Sequence, residues 1–175
     1  MLATRVLERL HALAVMGAPL RPLDIPAFQP AAIAANPEVL GFRESTAAMQ
    51  RLGMRAWLGA FARALGRPDD FPAGYTDWYL DQMAQEDPIL VAKFRTGMIE
   101  TDVRAAIKEI AVPTLWVEGT RTPVLIPAWR ALVEANPRIR IVDIEGIGNA
   151  IAYRQPDECI TAVRTFLSEH GLWPT

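Results

Sequence analysis

Val112-Pro113-Thr114-Leu115-Trp116-Val117-Glu118-Gly119 runs into Thr120-Arg121-Thr122-Pro123, and Ile139-Arg140-Ile141-Val142-Asp143-Ile144 follows it downstream. Short apolar runs rich in β-branched residues and bounded by Gly, Pro and Asn read as strands. Between the two, Ala128 to Ala135 has helical spacing and is stopped by Asn136-Pro137. Pro156 to His170 reads as a closing helix with proline in its first turn, where a missing N–H costs nothing. Strand, helix, strand, helix with apolar strands predicts an α/β fold built on a parallel sheet, because parallel neighbours need a crossover connection.

Working upstream, Leu10 to Met16 is a nearly continuous apolar run closed by Gly17-Ala18-Pro19, and predicts a third strand buried on both faces. Met1 to Arg9 reads as the last turns of a preceding helix. Four further prolines (Pro22, Pro26, Pro30, Pro37) and no sustained period predict an irregular linker from Leu20 to Pro37, with one brief helical turn near Ala31 to Ala35. Arg43 to Leu65 predicts an amphipathic helix bent at Gly53. Thr76 to Gln85 and Pro88 to Met98 predict two more, and Thr101 is expected to cap a fourth, short one through its hydroxyl. The organisation expected is a single domain over 1–175, with core segments 1–19 and 111–175 and a linker and helical insertion over 20–110.

With 175 residues, 51% of them hydrophobic, and a net charge of −2, the chain is long enough for one core and short for two. Its Lys and Arg residues are scattered along helical stretches, which argues against nucleic acid and anionic lipid as partners. No apolar run approaches the ~20 residues that span a bilayer, and charges interrupt the first residues, so a cytoplasmic, soluble protein is expected. The single cysteine, Cys159, excludes an internal disulfide and is expected to pack as a small apolar residue.

The order of these elements resembles the C-terminal half of an α/β-hydrolase: sixth strand, helical cap, seventh strand, helix, eighth strand, final helix. The segments that carry the resemblance are Val112-Pro113-Thr114-Leu115, the Gly119 to Pro127 turn, Ala135-Asn136-Pro137, and Gly146 to Pro156 with its Ala152-Tyr153-Arg154-Gln155-Pro156 run. The resemblance implies a partial α/β-hydrolase fold, a short parallel sheet of three strands with a helical cap insertion. In that family the turn after the seventh strand carries the catalytic acid and the turn after the eighth carries the catalytic His. Thr122 stands at the acid position and Asn149 at the base position.

Those two replacements remove the proton chemistry. Asn149 cannot exchange a proton near neutral pH, and Thr122 lacks the fixed charge that orients and stabilises an imidazolium. The Gly-x-Ser-x-Gly elbow that would hold the nucleophile is missing too: the only serines, Ser45 and Ser168, have no glycine two positions to either side. His11 and His170 read as structural. The carboxylate pairs Asp69-Asp70, Glu86-Asp87 and Glu100 with Asp102 fall at helix borders, where they cap or offset the dipole. No His or Cys spacing suggests a metal, and Gly146-Ile147-Gly148-Asn149 lacks the third glycine of a dinucleotide site, so no cofactor is expected.

The sequence therefore reads as a truncated or degenerate hydrolase-like protein without catalysis of its own, from an ancestor acting on small apolar substrates. The alternatives are a binding or scaffold module, or one half of a split enzyme whose nucleophile another chain supplies. Trp57, Phe61, Trp78, Tyr79 and Phe94 are candidate lining for the apolar pocket the resemblance implies beneath the cap, although aromatics at helical spacing more often form core. The strand Leu10 to Met16 is expected to lie at an edge and to recruit a second copy or an N-terminal half-hydrolase chain.

Overall fold

In a computed structural model, residues 9–41, 43–64, 73–121, 125–146, 148 and 151–173 are described. Three strands, β1 (Leu13–Met16), β2 (Thr114–Gly119) and β3 (Ile139–Ile144), form one parallel sheet in the order β1-β2-β3. The register pairs Leu13 with Thr114 and Thr114 with Ile139, so the three strands start level. Among the described residues there are ten α-helices: α1 (Pro30–Ala35), α2 (Pro37–Leu40), α3 (Glu44–Leu52), α4 (Met54–Ala64), α5 (Tyr75–Met83), α6 (Pro88–Glu100), α7 (Arg104–Ile107), α8 (Pro127–Glu134), α9 (Ile151–Arg154) and α10 (Pro156–Glu169). The described residues of Met1–Leu20 and Asp102–Thr175 make one compact unit, which holds the sheet; those of Arg21–Thr101 make a second, all-helical one.

The central strand is buried along its whole length. Leu115 and Val117 pack with Ile144, Ile151, Cys159 and Phe166, which seats α10 on one face of β2. Cys159 is part of this core, and burial, with a smaller contribution from Glu158, pushes its thiol pKa up, away from the reactive thiolate. By contrast β1 is shorter than the predicted Leu10 to Met16 and alternates half-buried and exposed residues, so the expected burial on both faces is corrected. Among the described residues β1 has a strand neighbour on one side only.

The proline-rich segment is also corrected. Pro22 and Pro26 each open a single 3₁₀ turn, and Pro30 and Pro37 open α1 and α2. Proline removes a donor that the first turn of a helix does not use and presets φ for it, so closely spaced prolines here start short helices instead of preventing them. Pro88, Pro127 and Pro156 do the same for α6, α8 and α10. The predicted bend at Gly53 is a break: Gly53 takes φ 79°, its N–H closes α3 on Met49 O, and its carbonyl accepts the first bond of α4 from Trp57 N. Thr101 does not cap forward. Its hydroxyl donates back to Gly97 O, and Asp102 accepts the Arg104 N–H at the start of α7.

Inside the helical unit Met49, Met54, Trp57, Leu58 and Leu80 form the larger cluster, and Phe28, Leu40 and Ile99 a second. Arg95, only 6% exposed, lies against both Trp57 and Phe61, its guanidinium carbon 5.2 Å and 4.8 Å from their ring centroids, and donates to Leu40 O. Burial lowers its pKa to about 10, which still leaves it charged at neutral pH. In the sheet unit, buried Asn136 donates to Ile107 O and Ile110 O and accepts the Arg138 N–H, tying the end of α7 to the turn before β3.

Two substitutions test these contacts. Asn136→Ala strands two carbonyls and an N–H and is expected to cost about 2–4 kcal/mol, read from the urea midpoint. Arg95→Lys keeps the charge but loses the planar face on Trp57 and Phe61, and is expected to cost about 1–2 kcal/mol; an unchanged midpoint would show that the stacking contributes nothing.

Candidate functional site

In open parallel sheets, ligand and catalytic groups collect where the strands end at their carboxyl side, because the chain turns there and exposes backbone and side chains together. At that end of this sheet three glycines follow the strands. Gly17 comes after β1 at φ 52°, where an added Cβ would meet Ile151 Cδ1 at 3.5 Å; Gly119 closes β2; and Gly146 follows β3 at φ 69°. The positive φ of Gly146 is a conformation that side chains disfavour, which fixes glycine in the turn that follows β3.

The two turns that the sequence singled out are tied to each other here. Thr120 N donates to Ile144 O at 3.1 Å, and the Thr120 hydroxyl accepts the Gly146 N–H at 3.0 Å. Behind them Glu118, 1% exposed, directs Oε1 at the Leu125 N–H, 3.2 Å away, and so closes the loop between β2 and α8 from within. Thr122 and Asn149 themselves lie outside the described residues. What the structure places is the scaffold on either side of each, Gly119 to Arg121 and Leu125 around the first, Gly146 and Gly148 before the second.

Glu118 and Thr120 were not singled out in the sequence. A charged residue at the end of an otherwise apolar strand was the available signal for Glu118. Nothing local marks Thr120, whose role depends on β3 being its neighbour.

The remaining reactive side chains are dispersed. Ser45 is buried in the first turn of α3, and Ser168 is exposed in the last turn of α10; neither is at a strand-to-helix junction. His11 is exposed ahead of β1. The His170 ring lies 4.5 Å from that of Phe166, with Nδ1 2.8 Å from Phe166 O, at the end of α10. Asp87 caps α6 by accepting the N–H groups of Ile89 and Leu90, and Asp69-Asp70 lie outside the described residues. Among the described residues no group of three or more His, Cys, Asp or Glu is placed to hold a metal ion.

The five aromatics divide. Trp57 is 1% exposed and Phe61 stacks on it with ring centroids 5.2 Å apart, within the helical unit's core. Trp78, Tyr79 and Phe94 are exposed, Phe94 by 72%, and Leu90, Phe94 and Met98 make an apolar stripe along α6. A groove of about 560 Å³ beside Gly53 runs between α4 and α5, lined by Leu52, Met54, Arg55 and Leu80 among others; none of the five aromatics lines it. Arg55 there is engaged by Asp81 at 2.8 Å and Asp77 at 3.4 Å, and the Asp81 hydrogen bond raises its pKa further.

A parallel sheet with this strand order, a helical insertion after its first strand and turns linked at its carboxyl end define part of an α/β-hydrolase fold. Solved structures agree. The chain is similar to a thermophilic esterase from Thermogutta terrifontis (TM-score 0.70, 20% identity), over 96% of this chain and 59% of that one. It is similar to MenH from S. aureus (TM-score 0.65, 15% identity; 97% and 74%) and to an enol-lactonase from Burkholderia xenovorans (TM-score 0.59, 20% identity; 95% and 60%). The chain thus spans about three fifths of the length of the T. terrifontis and B. xenovorans enzymes. No family model matches the sequence, and comparison with curated proteins finds no match.

Glu118→Ala is expected to speed amide exchange at Leu125 by at least about tenfold, since a buried N–H loses its acceptor, while Glu118→Gln retains protection. Exchange at Leu125 in Glu118→Ala as slow as in the unaltered chain would show that the Glu118 side chain does not hold the loop.

Proposed function

We propose that this chain is a degenerate, non-catalytic part of an α/β-hydrolase, comprising the cap and the last three strands, derived from a hydrolase of small apolar substrates. The observation that carries this reading is the coverage: nearly the whole chain matches, but it accounts for only 52% to 74% of the matched chains. The chemistry agrees. In the sequence, the positions that the resemblance assigns to the acid and the base hold Thr122 and Asn149, which can hydrogen bond but cannot relay a proton at neutral pH. Neither serine stands where a nucleophile would need to be. The domain reading that goes with this is one partial core, 1–19 and 111–175, carrying a cap within 20–110, and the proposed setting is the cytoplasm. No described helix is long and apolar enough to cross a membrane.

The exposed Trp78, Tyr79 and Phe94 are the residues this reading assigns to an apolar cap surface, while Trp57 and Phe61 stack on each other within the helical unit's core. A second reading, one half of a split hydrolase or a binding module that pairs with another chain or with itself, is favoured by one observation: among the described residues nothing pairs with the outer edge of β1.

The purified chain is expected to hydrolyse activated acyl esters no faster than buffer, and to form no adduct with a serine-directed phosphonate. Turnover above the buffer rate, or labelling of Ser45 or Ser168 by intact-mass and peptide analysis, would overturn the non-catalytic reading. The double replacement Thr122→Asp with Asn149→His is expected to remain inactive, because it restores an acid and a base without a nucleophile.

A further inference from the structure

The two sides of α6 are both apolar. Ala92, Arg95 and Ile99, spaced three and four residues apart, are buried in the helical unit. On the opposite side Leu90, Phe94 and Met98 are 62%, 72% and 45% exposed, and exposed Gly97 lies on the same face. A Cβ added at Gly97 would meet nothing within 4 Å, so no contact within the described residues requires a glycine there. Glycine inside a helix costs about 1 kcal/mol against alanine, and an aromatic ring left in water forgoes the gain of burial. A second backbone that comes close at Gly97 and covers Phe94 accounts for both.

The charges beside this stripe identify what covers it. Lys93 and Glu100 are exposed and two turns apart, so they flank the stripe on one side, about 10 Å from each other along the axis, too far to pair within the helix. Arg104, four residues beyond Glu100, is held by Asp102, and among the described residues neither Lys93 nor Glu100 is in an ion pair. In an antiparallel pair of identical helices the twofold axis keeps each flank on its own side. An axis passing between Thr96 and Gly97 therefore sets Lys93 of each copy level with Glu100 of the other. The same axis, placed by the charges alone, brings the two Gly97 residues within one residue of level, and does the same for Phe94 and Met98 of opposite copies.

We propose that this face of α6 pairs antiparallel with its counterpart in a second copy of the chain. Gly97 stands at the crossing, Phe94 lies against Met98 of the other copy, and Lys93 meets Glu100 of the other copy at the rim, each contact occurring twice as an isologous interface requires. One 13-residue helix is about 20 Å long and buries less than the about 800 Å² per partner of a standard interface, so the dimer is weak and reversible. The pairing belongs to the helical unit alone and does not depend on whether the chain is catalytic.

Sedimentation equilibrium of the full 175-residue chain is expected to show monomer and dimer exchanging between about 10 μM and about 1 mM. Lys93→Glu or Glu100→Lys alone sets two like-charged pairs at the rim and is expected to weaken the dimer about tenfold. The two together exchange the charges and are expected to restore it to within about twofold of the unaltered chain. Gly97→Ala is expected to raise the melting temperature of the monomer through helix propensity and yet to weaken the dimer by holding the helices apart. All of these side chains are exposed, and circular dichroism checks that each variant keeps its fold. A monomer throughout the concentration range would overturn the assignment. A dimer that survives Phe94→Glu would overturn it by placing the contact elsewhere on the chain, β1 included. A double replacement that associates no better than either single one would refute the antiparallel register and the assignment with it.

Discussion

The rest of the sheet unit depends on the pairing requirement of β2. A strand buried over all six residues has no water to satisfy its peptide groups, so both of its edges must be met by other strands. β1 and β3 meet them in parallel and in register, which brings their carboxyl ends level and forces the chain to turn three times within a small region. Thr120, Glu118 and Gly146 then follow from geometry: a hydroxyl that accepts an N–H across adjacent turns, a carboxylate that closes a loop from inside, a glycine where φ is positive.

This requirement explains why part of the fold was legible in the sequence. β3 matches the quoted run, α8 is shifted by one residue, and α10 ends one residue early. Their signals are local, an apolar run or a period of 3.6 with Pro or Asn at the boundary. The misreadings concern features whose meaning depends on position. A proline that opens a helix and one that breaks it are the same letter, and the linker was misread for that reason. The two-sided burial expected for β1 would have needed layers on both faces, and an apolar run does not report whether those layers exist.

For the site, the resemblance named two turns, and the sheet brings their flanks together without describing Thr122 or Asn149 themselves. The cap aromatics were legible only as apolar residues at helical spacing. Periodicity puts Trp57 and Phe61 on an apolar face without distinguishing a helix's own core from a surface, and the 1% exposure of Trp57 against 72% for Phe94 is a tertiary outcome. Arg95 against Trp57 and Phe61 was equally hidden, because its partners lie on another helix.

The backbone N–H of Val103 donates to the carbonyl of Leu20 at 2.9 Å, so the chain enters and leaves the helical insertion at nearly the same point. For an unstructured connection, joining Leu13 to Thr114 closes a loop of about 100 residues at an entropic cost near 4 kcal/mol, against about 3 kcal/mol for the 25-residue span to β3. A pre-folded insertion with touching ends shortens the longer loop to about 18 residues, comparable with the span to β3. Connectivity then makes both pairings local: β2, α8 and β3 assemble across one short connection, and once the insertion has condensed β1 joins β2 at an entropic expense similar to that of β3. The same touching ends make the insertion a segment whose length can change without moving the strands that flank it.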